Sequence, residues 1–175
     1  MTAPETDVLL STGDRVLLRS LYETQPLALV FLRHFGCTFC REHVTDLRGE
    51  TDLNLAFVSM ADRVESEAFQ RKMQVTHPFI CDPEARLYAL FGLKRASIGE
   101  VFNPRVFMRG VQAVGKGNGV GRPVGNPWQL PGTFILNTKG EVVHAHRSRD
   151  AADNLSAAEI RKYLAEAAEV EHARG

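Results

Sequence analysis

The sequence predicts an α/β fold in which helices cover both faces of a mixed central sheet that ends in an antiparallel hairpin. Residues 27–32 and 53–60 are nearly all apolar, which is typical of strands buried on both faces. Helical patterns follow each of these runs, as expected for parallel strands joined by crossover helices. Near the C-terminus, two strand-like runs flank the turn sequence Asn137-Thr138-Lys139-Gly140, which predicts the closing hairpin.

The composition indicates one globular domain over residues 1–175. Hydrophobic residues make up 44% of the chain and charged residues 24%. Lys plus Arg and Asp plus Glu both number 21, so bulk charge favours neither nucleic acid nor a membrane surface as a partner. No apolar run approaches the roughly 20 residues that span a bilayer. The three cysteines do not form a disulfide framework, and with no signal-peptide pattern at the N-terminus they predict a cytoplasmic protein.

The first third of the chain predicts two strands and a helix. Residues 1–12 are polar and without periodicity, so we expect them to be loosely held. Residues 15–18 are compatible with a short strand, and residues 27–32 form the first buried strand. Residues 37–47 fit a helix with apolar positions at helical spacing, ending near Gly49.

The middle of the chain continues the alternation. After the strand at residues 53–60 comes a charged helical stretch at residues 63–73, and residues 78–81 form a short third strand. Asp82, followed by a proline and a glutamate, predicts the start of a helix that ends at Gly92.

The last part of the chain contains an irregular region before the hairpin. Residues 106–111 have a helical pattern, whereas residues 115–131 are rich in Gly, Pro and Asn and predict a functional or mobile insert. Residues 132–136 and 141–146 are the strands of the hairpin. Residues 156–170 form the closing helix.

The most informative motif is the pair Cys37 and Cys40, which the first buried strand delivers to the start of a helix. A helix N-terminus carries partial positive charge and unpaired N–H groups, so it stabilises the reactive thiolate form of cysteine. The other interpretations are two buried thiols or half of a zinc site. A structural zinc site needs four ligands, and only Cys81 and six histidines remain. We therefore predict redox chemistry and no metal.

We also predict no nucleotide cofactor. Residues 110–116 have the G-x-x-x-x-G-K spacing of a phosphate-binding loop. However, a glycine follows the lysine where a Ser or Thr would bind magnesium, and a glycine-rich coil follows in place of a helix.

The chain resembles a known family at four places. These are residues 30–40 with the C-x-x-C pair, Cys81-Asp82-Pro83, residues 87–92, and residues 132–140. Together they resemble the thioredoxin-like fold, and within it the peroxiredoxin-like branch of the alkyl hydroperoxide reductase and thiol-specific antioxidant family. The resemblance implies hydroperoxide reduction by Cys37 and Cys40, with a thioredoxin- or glutaredoxin-type protein as electron donor.

The chain departs from both related groups near the cysteines. True peroxiredoxins carry a P-x-x-x-T-x-x-C pattern. If Cys40 is matched to its cysteine, Cys37 and Arg33 occupy the threonine and proline positions; if Cys37 is matched, His34 and Val30 occupy them. Thioredoxins carry a cis-proline that faces the cysteine pair, and the resemblance places Pro131 there.

The identity of the attacking thiol stays open at this level. Thioredoxin logic makes Cys37 the nucleophile and Cys40 the resolving thiol, whereas peroxiredoxin logic reverses these roles, and both end in the same disulfide. The sequence slightly favours Cys37 as the more accessible thiol.

Arg33 and His34 are the candidate supporting residues, because a nearby cation lowers the pKa of a thiol. Side chains alternate along a strand, so we expect at most one of them to face the cysteines. The alternative is an ordinary surface arginine and a packed histidine. Cys81 is expected to be a buried small side chain. Trp128 either covers the cysteines or lies on a surface insert.

Three functions are compatible with these residues. The first is a peroxiredoxin-like enzyme that reduces hydroperoxides through a Cys37/Cys40 dithiol–disulfide cycle. The second is a thiol–disulfide oxidoreductase that acts on protein disulfides. The third is a non-enzymatic module that changes its binding when the disulfide closes. The sequence does not indicate an oligomeric state.

Overall fold

A computed structural model describes residues 1–95, 126 and 128–174 of the chain. The described strands are β1 (Asp7–Leu10), β2 (Arg15–Leu17), β3 (Leu27–Phe31), β4 (Leu55–Ser59), β5 (Phe79–Cys81), β6 (Gly132–Leu136) and β7 (Val142–Arg147). The described helices are α1 (Thr38–Leu47), α2 (Arg63–Met73), α3 (Arg86–Leu90) and α4 (Ala157–Arg174), and a 3₁₀ turn spans Leu18–Leu21.

The seven described strands form one mixed sheet in the order β2-β1-β5-β4-β3-β6-β7. The neighbours β3, β4 and β5 are parallel, as the helical crossovers α1 and α2 require. The other pairs are antiparallel. Since β3 lies inside the sheet, its carboxyl end, where the cysteine pair follows, is held from both sides.

Helices cover both faces of the sheet, as predicted. On one face, Ala28 and Val30 of β3 pack with apolar residues of α1, α2 and α4. On the other face, Leu29 and Phe31 pack with α3 and the 3₁₀ turn. Every residue of β3 is buried, which explains why its sequence is continuously apolar.

The hairpin between β6 and β7 also agrees with the prediction. Gly140 has φ +78°, a conformation that favours glycine. The side-chain oxygen of Asn137 accepts hydrogen bonds from the backbone N–H groups of Lys139 and Glu141. The conformation of Gly140 and the hydrogen bonds of Asn137 therefore fix the turn between β6 and β7.

The prediction that residues 1–12 are loosely held is wrong. Asp7–Leu10 forms strand β1, in which Leu9 and Leu10 pair with Cys81 and Ile80 of β5. Val8 is buried in the core on the α3 face. The strand is stable because it extends an existing sheet, a non-local gain that a short polar-flanked sequence does not reveal.

The helix predicted to start at Asp82 begins later, at Arg86. Asp82 does act as an acceptor, because its carboxylate receives the backbone N–H groups of Arg86 and Leu87. However, Ala85 adopts a left-handed conformation with φ 54°, which separates the turn from the helix.

The predicted helix at residues 106–111 lies outside the described residues. The insert at residues 115–131 does so too, apart from residues 126 and 128–131.

Candidate active site

The site begins at the carboxyl end of β3, an interior strand of the sheet. The chain turns after the strand, and the N–H of Cys37 donates to the carbonyl of His34 at 3.0 Å. Cys37 has extended backbone angles and is the N-cap residue of α1, so its carbonyl accepts the N–H of Arg41. Cys37 therefore lies at the positive end of the helix, and Cys40 follows within its first turn.

Both cysteines are free thiols and both are buried, with exposed fractions of 5% for Cys37 and 2% for Cys40. Cys37, expected to be the more accessible thiol, is thus only slightly more exposed than Cys40. Arg33 contacts both sulfurs: its guanidinium Nη1 lies 3.7 Å from Cys37 Sγ, and its backbone N–H donates to Cys40 Sγ at 3.2 Å.

The two thiols have pKa values shifted in opposite directions. The hydrogen bond from Cys40, helped by the nearby Arg33 guanidinium and opposed by burial, lowers the pKa of Cys37 to about 6. Donation of that hydrogen bond and burial raise the pKa of Cys40 well above its ordinary value. At neutral pH the favoured state is a Cys37 thiolate that accepts a hydrogen bond from a Cys40 thiol.

His34, the other predicted neighbour, does not supply a cation. Burial and the charge of Arg33 lower the pKa of its imidazole to about 4. Its Nδ1 is buried and makes no hydrogen bond within the described part of the chain. Of the two residues, Arg33 is the one whose side chain the structure places against a cysteine sulfur.

The Tyr88 hydroxyl hydrogen-bonds the end of β3. The sequence does not reveal this role, because the partners of the hydroxyl are backbone carbonyls. Its hydroxyl lies 2.5 Å from the carbonyl oxygen of Leu32 and 3.0 Å from that of Val58. The single hydroxyl proton can thus be shared between the carboxyl ends of two strands. Burial raises the pKa of this hydroxyl well above its ordinary value.

Ala151 and Ala152 cover the cysteine pair from the segment after β7. Both are buried in one apolar cluster with Cys37, Phe39 and Cys40. Sequence reasoning did not single them out, since two alanines in a polar stretch carry no functional pattern.

Pro131 does not have the expected cis geometry, since no peptide bond in the described residues is cis. Its carbonyl oxygen accepts the backbone N–H of Ser148 at 3.2 Å, which continues the pairing of β6 and β7. Trp128 is 40% exposed, and its backbone N–H donates to the side chain of Asn126.

Cys81 is buried, as predicted, and burial raises the pKa of its thiol. The described residues contain no group of three or more His, Cys, Asp or Glu side chains placed to hold a metal ion. They also contain no helix long and apolar enough to cross a membrane.

A protein-family comparison matches residues 43–150 to the AhpC/TSA antioxidant enzyme model. The matched region starts after the cysteine pair. It therefore identifies the family of the chain but does not assign roles to Cys37 and Cys40.

Similar proteins agree with this match. Peroxiredoxin-like 2C of Mus musculus is 27% identical over 165 residues, covering 86% of this chain and 73% of that protein, and the Homo sapiens protein is 28% identical with the same coverage. Among solved structures, the Xanthomonas campestris bacterioferritin comigratory protein has a TM-score of 0.64 at 16% identity, covering 95% of this chain and 92% of that chain. Peroxidoxin BcpB of Mycobacterium tuberculosis has a TM-score of 0.62 at 20% identity, covering 97% and 96%. These structural likenesses establish the thioredoxin-like fold of peroxiredoxins.

Proposed function

Because the chain belongs to the AhpC/TSA antioxidant enzyme family, we propose that it is a thiol peroxidase that reduces hydroperoxides through a Cys37/Cys40 dithiol–disulfide cycle. The observation that carries the proposal is the contact of Arg33 with both sulfurs at the N-terminus of α1. This arrangement supplies an ionised nucleophile, a protonated partner and a fixed positive charge in one buried place.

Cys37 is the attacking thiol in this proposal, because its lowered pKa makes it the thiolate at neutral pH. Its sulfur attacks one oxygen of the hydroperoxide, and the O–O bond breaks. Cys37 becomes a sulfenic acid, and the alkoxide that leaves takes up a proton and departs as an alcohol. The Arg33 guanidinium is placed to stabilise the negative charge that moves onto the departing oxygen.

Cys40 is the resolving thiol. Its sulfur attacks the sulfur of the Cys37 sulfenic acid, a disulfide forms, and the displaced hydroxide takes the Cys40 proton and leaves as water. The proposal is supported by the position of both cysteines in one buried cluster, with Cys37 at the N-cap and Cys40 in the first turn of α1. A thioredoxin- or glutaredoxin-type dithiol would then reduce the disulfide and complete the cycle.

Peroxide consumption with a thioredoxin donor tests this assignment. We expect Cys37→Ser to lose nearly all turnover, because the nucleophile is gone. We expect Cys40→Ser to consume about one peroxide per chain and stop, with a sulfenic acid on Cys37 that dimedone labels. The matched control is Cys81→Ser, a buried cysteine outside the pair, which should keep turnover.

Two results would contradict the assignment. If Cys37→Ser retains the single turnover and dimedone labels Cys40, the roles of the two cysteines are reversed. If both variants keep full turnover, the pair is not the active centre.

A second function, thiol–disulfide exchange with protein substrates, is favoured by one observation. Cys37, the cysteine with the lowered pKa, is the first of the C-x-x-C pair. In thioredoxins the first cysteine is the one that attacks disulfides. Reduction of insulin disulfides without peroxide turnover would support this alternative.

A further inference from the structure

The cysteine pair packs against a separate piece of chain. Residues 148–156, which we call the cover segment, connect β7 to α4. Ala151 and Ala152 within it pack in one cluster with both cysteines, whose exposed fractions are 5% and 2%. A thiolate from another protein needs a direct approach to a sulfur atom, so this segment blocks the path in the state that the structure shows.

The cover segment is a compact unit with its own hydrogen bonds. The carboxylate of Asp150 accepts the N–H of Ala152 at 2.9 Å, and that of Asp153 accepts the N–H of Arg149 at 3.0 Å. These bonds hold the segment in a defined closed conformation, and its opening by local unfolding would break them.

Two histidine side chains hydrogen-bond this unit to neighbouring elements, and its ends are also held by the Ser148 N–H bond to the Pro131 carbonyl and by packing of Leu155 in the core under α1, α2 and α4. His43 of α1 has its Nε2 2.8 Å from the carbonyl oxygen of Leu155, and His146 of β7 has its Nε2 2.9 Å from that of Asp153. Since a carbonyl only accepts, each imidazole carries its proton on Nε2 and donates it. One histidine precedes the segment in a neighbouring helix and the other in the adjoining strand, so they hold it from two sides.

We propose that the cover segment is a lid whose opening exposes Cys37 and Cys40 to a thiol-bearing protein partner, and that His43 and His146 are positioning residues that keep it closed. The role of the lid in turnover rests on the proposed Cys37/Cys40 cycle. Its control of access to the thiols does not, and this allows the two ideas to be tested separately.

Opening of the lid is needed most in the step in which a donor protein reduces the disulfide. A donor thiolate attacks Cys37 Sγ, the bond to Cys40 breaks, and Cys40 leaves as a thiolate that takes up a proton. The second donor thiol then attacks the mixed disulfide, which releases Cys37 as a thiolate and the donor as a disulfide. Both attacks bring a protein-sized nucleophile to a sulfur that Ala151 and Ala152 now cover.

Alkylation of the fully reduced protein by iodoacetamide, read at Cys37 by mass spectrometry, tests access directly. We expect His146→Ala to react about threefold to tenfold faster than wild type, since one hydrogen bond that holds the closed state is lost. His146→Gln, which keeps a side-chain N–H donor, should restore much of the slow rate. The matched control is His144→Ala on the same strand. The ring of His144 stacks on Tyr163, a residue outside the cover segment.

Hydrogen exchange in the wild-type protein tests the lid without depending on the folding of a variant. If the cover segment opens as a unit, the amides of Ala152 and Asp153 exchange together and faster than those of the neighbouring strand β6.

The lid proposal is overturned if His146→Ala alkylates no faster than wild type and the His144→Ala control, or if these amides exchange as slowly as those of β6. Neither result requires peroxide or an electron donor. The assignment of the cysteines fails on a different observation, the retention of turnover in their serine variants.

Discussion

At the scale of single residues, the chemistry depends on the asymmetry between Cys37 and Cys40. Both are buried within one helical turn, yet one is stabilised as a thiolate and the other as a thiol. Burial alone would raise both pKa values. The difference arises because Cys37 accepts the hydrogen bond and has the guanidinium of Arg33 beside it.

This asymmetry predicts the pH dependence of Cys37 reactivity. Because only the thiolate reacts, the alkylation rate at Cys37 should rise with pH, reach half of its maximum near pH 6 and level off above about pH 8. Removing a cause that lowers the pKa moves the midpoint upward. We expect Cys40→Ala to move it further than Arg33→Gln, because the Cys40 hydrogen bond is the largest cause.

The measurement is the rate of modification at Cys37 between pH 4.5 and pH 9, with the midpoint as its readout. Arg33→Gln should raise the midpoint by about one unit, the lower end of what a neighbouring opposite charge produces. Arg71→Gln, an exposed change on α2, is the control and should leave the midpoint unchanged. A wild-type midpoint above pH 8 would contradict the proposed thiolate.

At the scale of elements, the site depends on how the end of β3 meets α1. The N–H of Arg33 reaches Cys40 Sγ only because the chain leaves the strand in a defined direction. Tyr88 helps to define it, since its hydroxyl hydrogen-bonds carbonyls at the ends of β3 and β4. Tyr88 belongs to α3, so it holds these strand ends from the face of the sheet opposite to α1.

Removing this hydroxyl should destabilise the fold. Tyr88→Phe keeps the ring but leaves a buried carbonyl without its donor, so we expect a loss of about 1–3 kcal/mol in the free energy of unfolding. Urea denaturation measures it. Tyr163→Phe on α4 changes the same group at a partly buried ring and should lie within about 0.5 kcal/mol of wild type. Equal stabilities for the two variants would show that the Tyr88 contacts contribute nothing.

At the scale of the whole molecule, strand β3 belongs to two cores at once. Val30 faces the core under α1, α2 and α4, and Leu29 faces the core under α3. Because the same five residues bind both layers, the layers should unfold together.

Shortening one buried side chain of β3 tests whether the two layers unfold together. Leu29→Ala should cost about 2–5 kcal/mol through lost burial and the cavity that remains. Both helical layers should still be lost in one transition when circular dichroism and intrinsic fluorescence are followed together. Leu90→Ala, at a side chain that is 54% exposed, should change stability by less than about 0.5 kcal/mol. Separate transitions for the two probes would contradict the shared strand.

The sequence by itself determined the buried parallel strands, the hairpin and the placement of Cys37 and Cys40 at the start of a helix. These features follow from local rules, since buried strands are continuously apolar and turn residues have particular backbone preferences. Only the tertiary structure decided that Asp7–Leu10 joins the sheet and that the side chain of Arg33, rather than that of His34, lies against a sulfur. It also decided that Ala151 and Ala152 cover the pair. These features depend on contacts between residues far apart in the chain, or on the direction that a turn gives to a side chain, and neither leaves a periodic pattern to read.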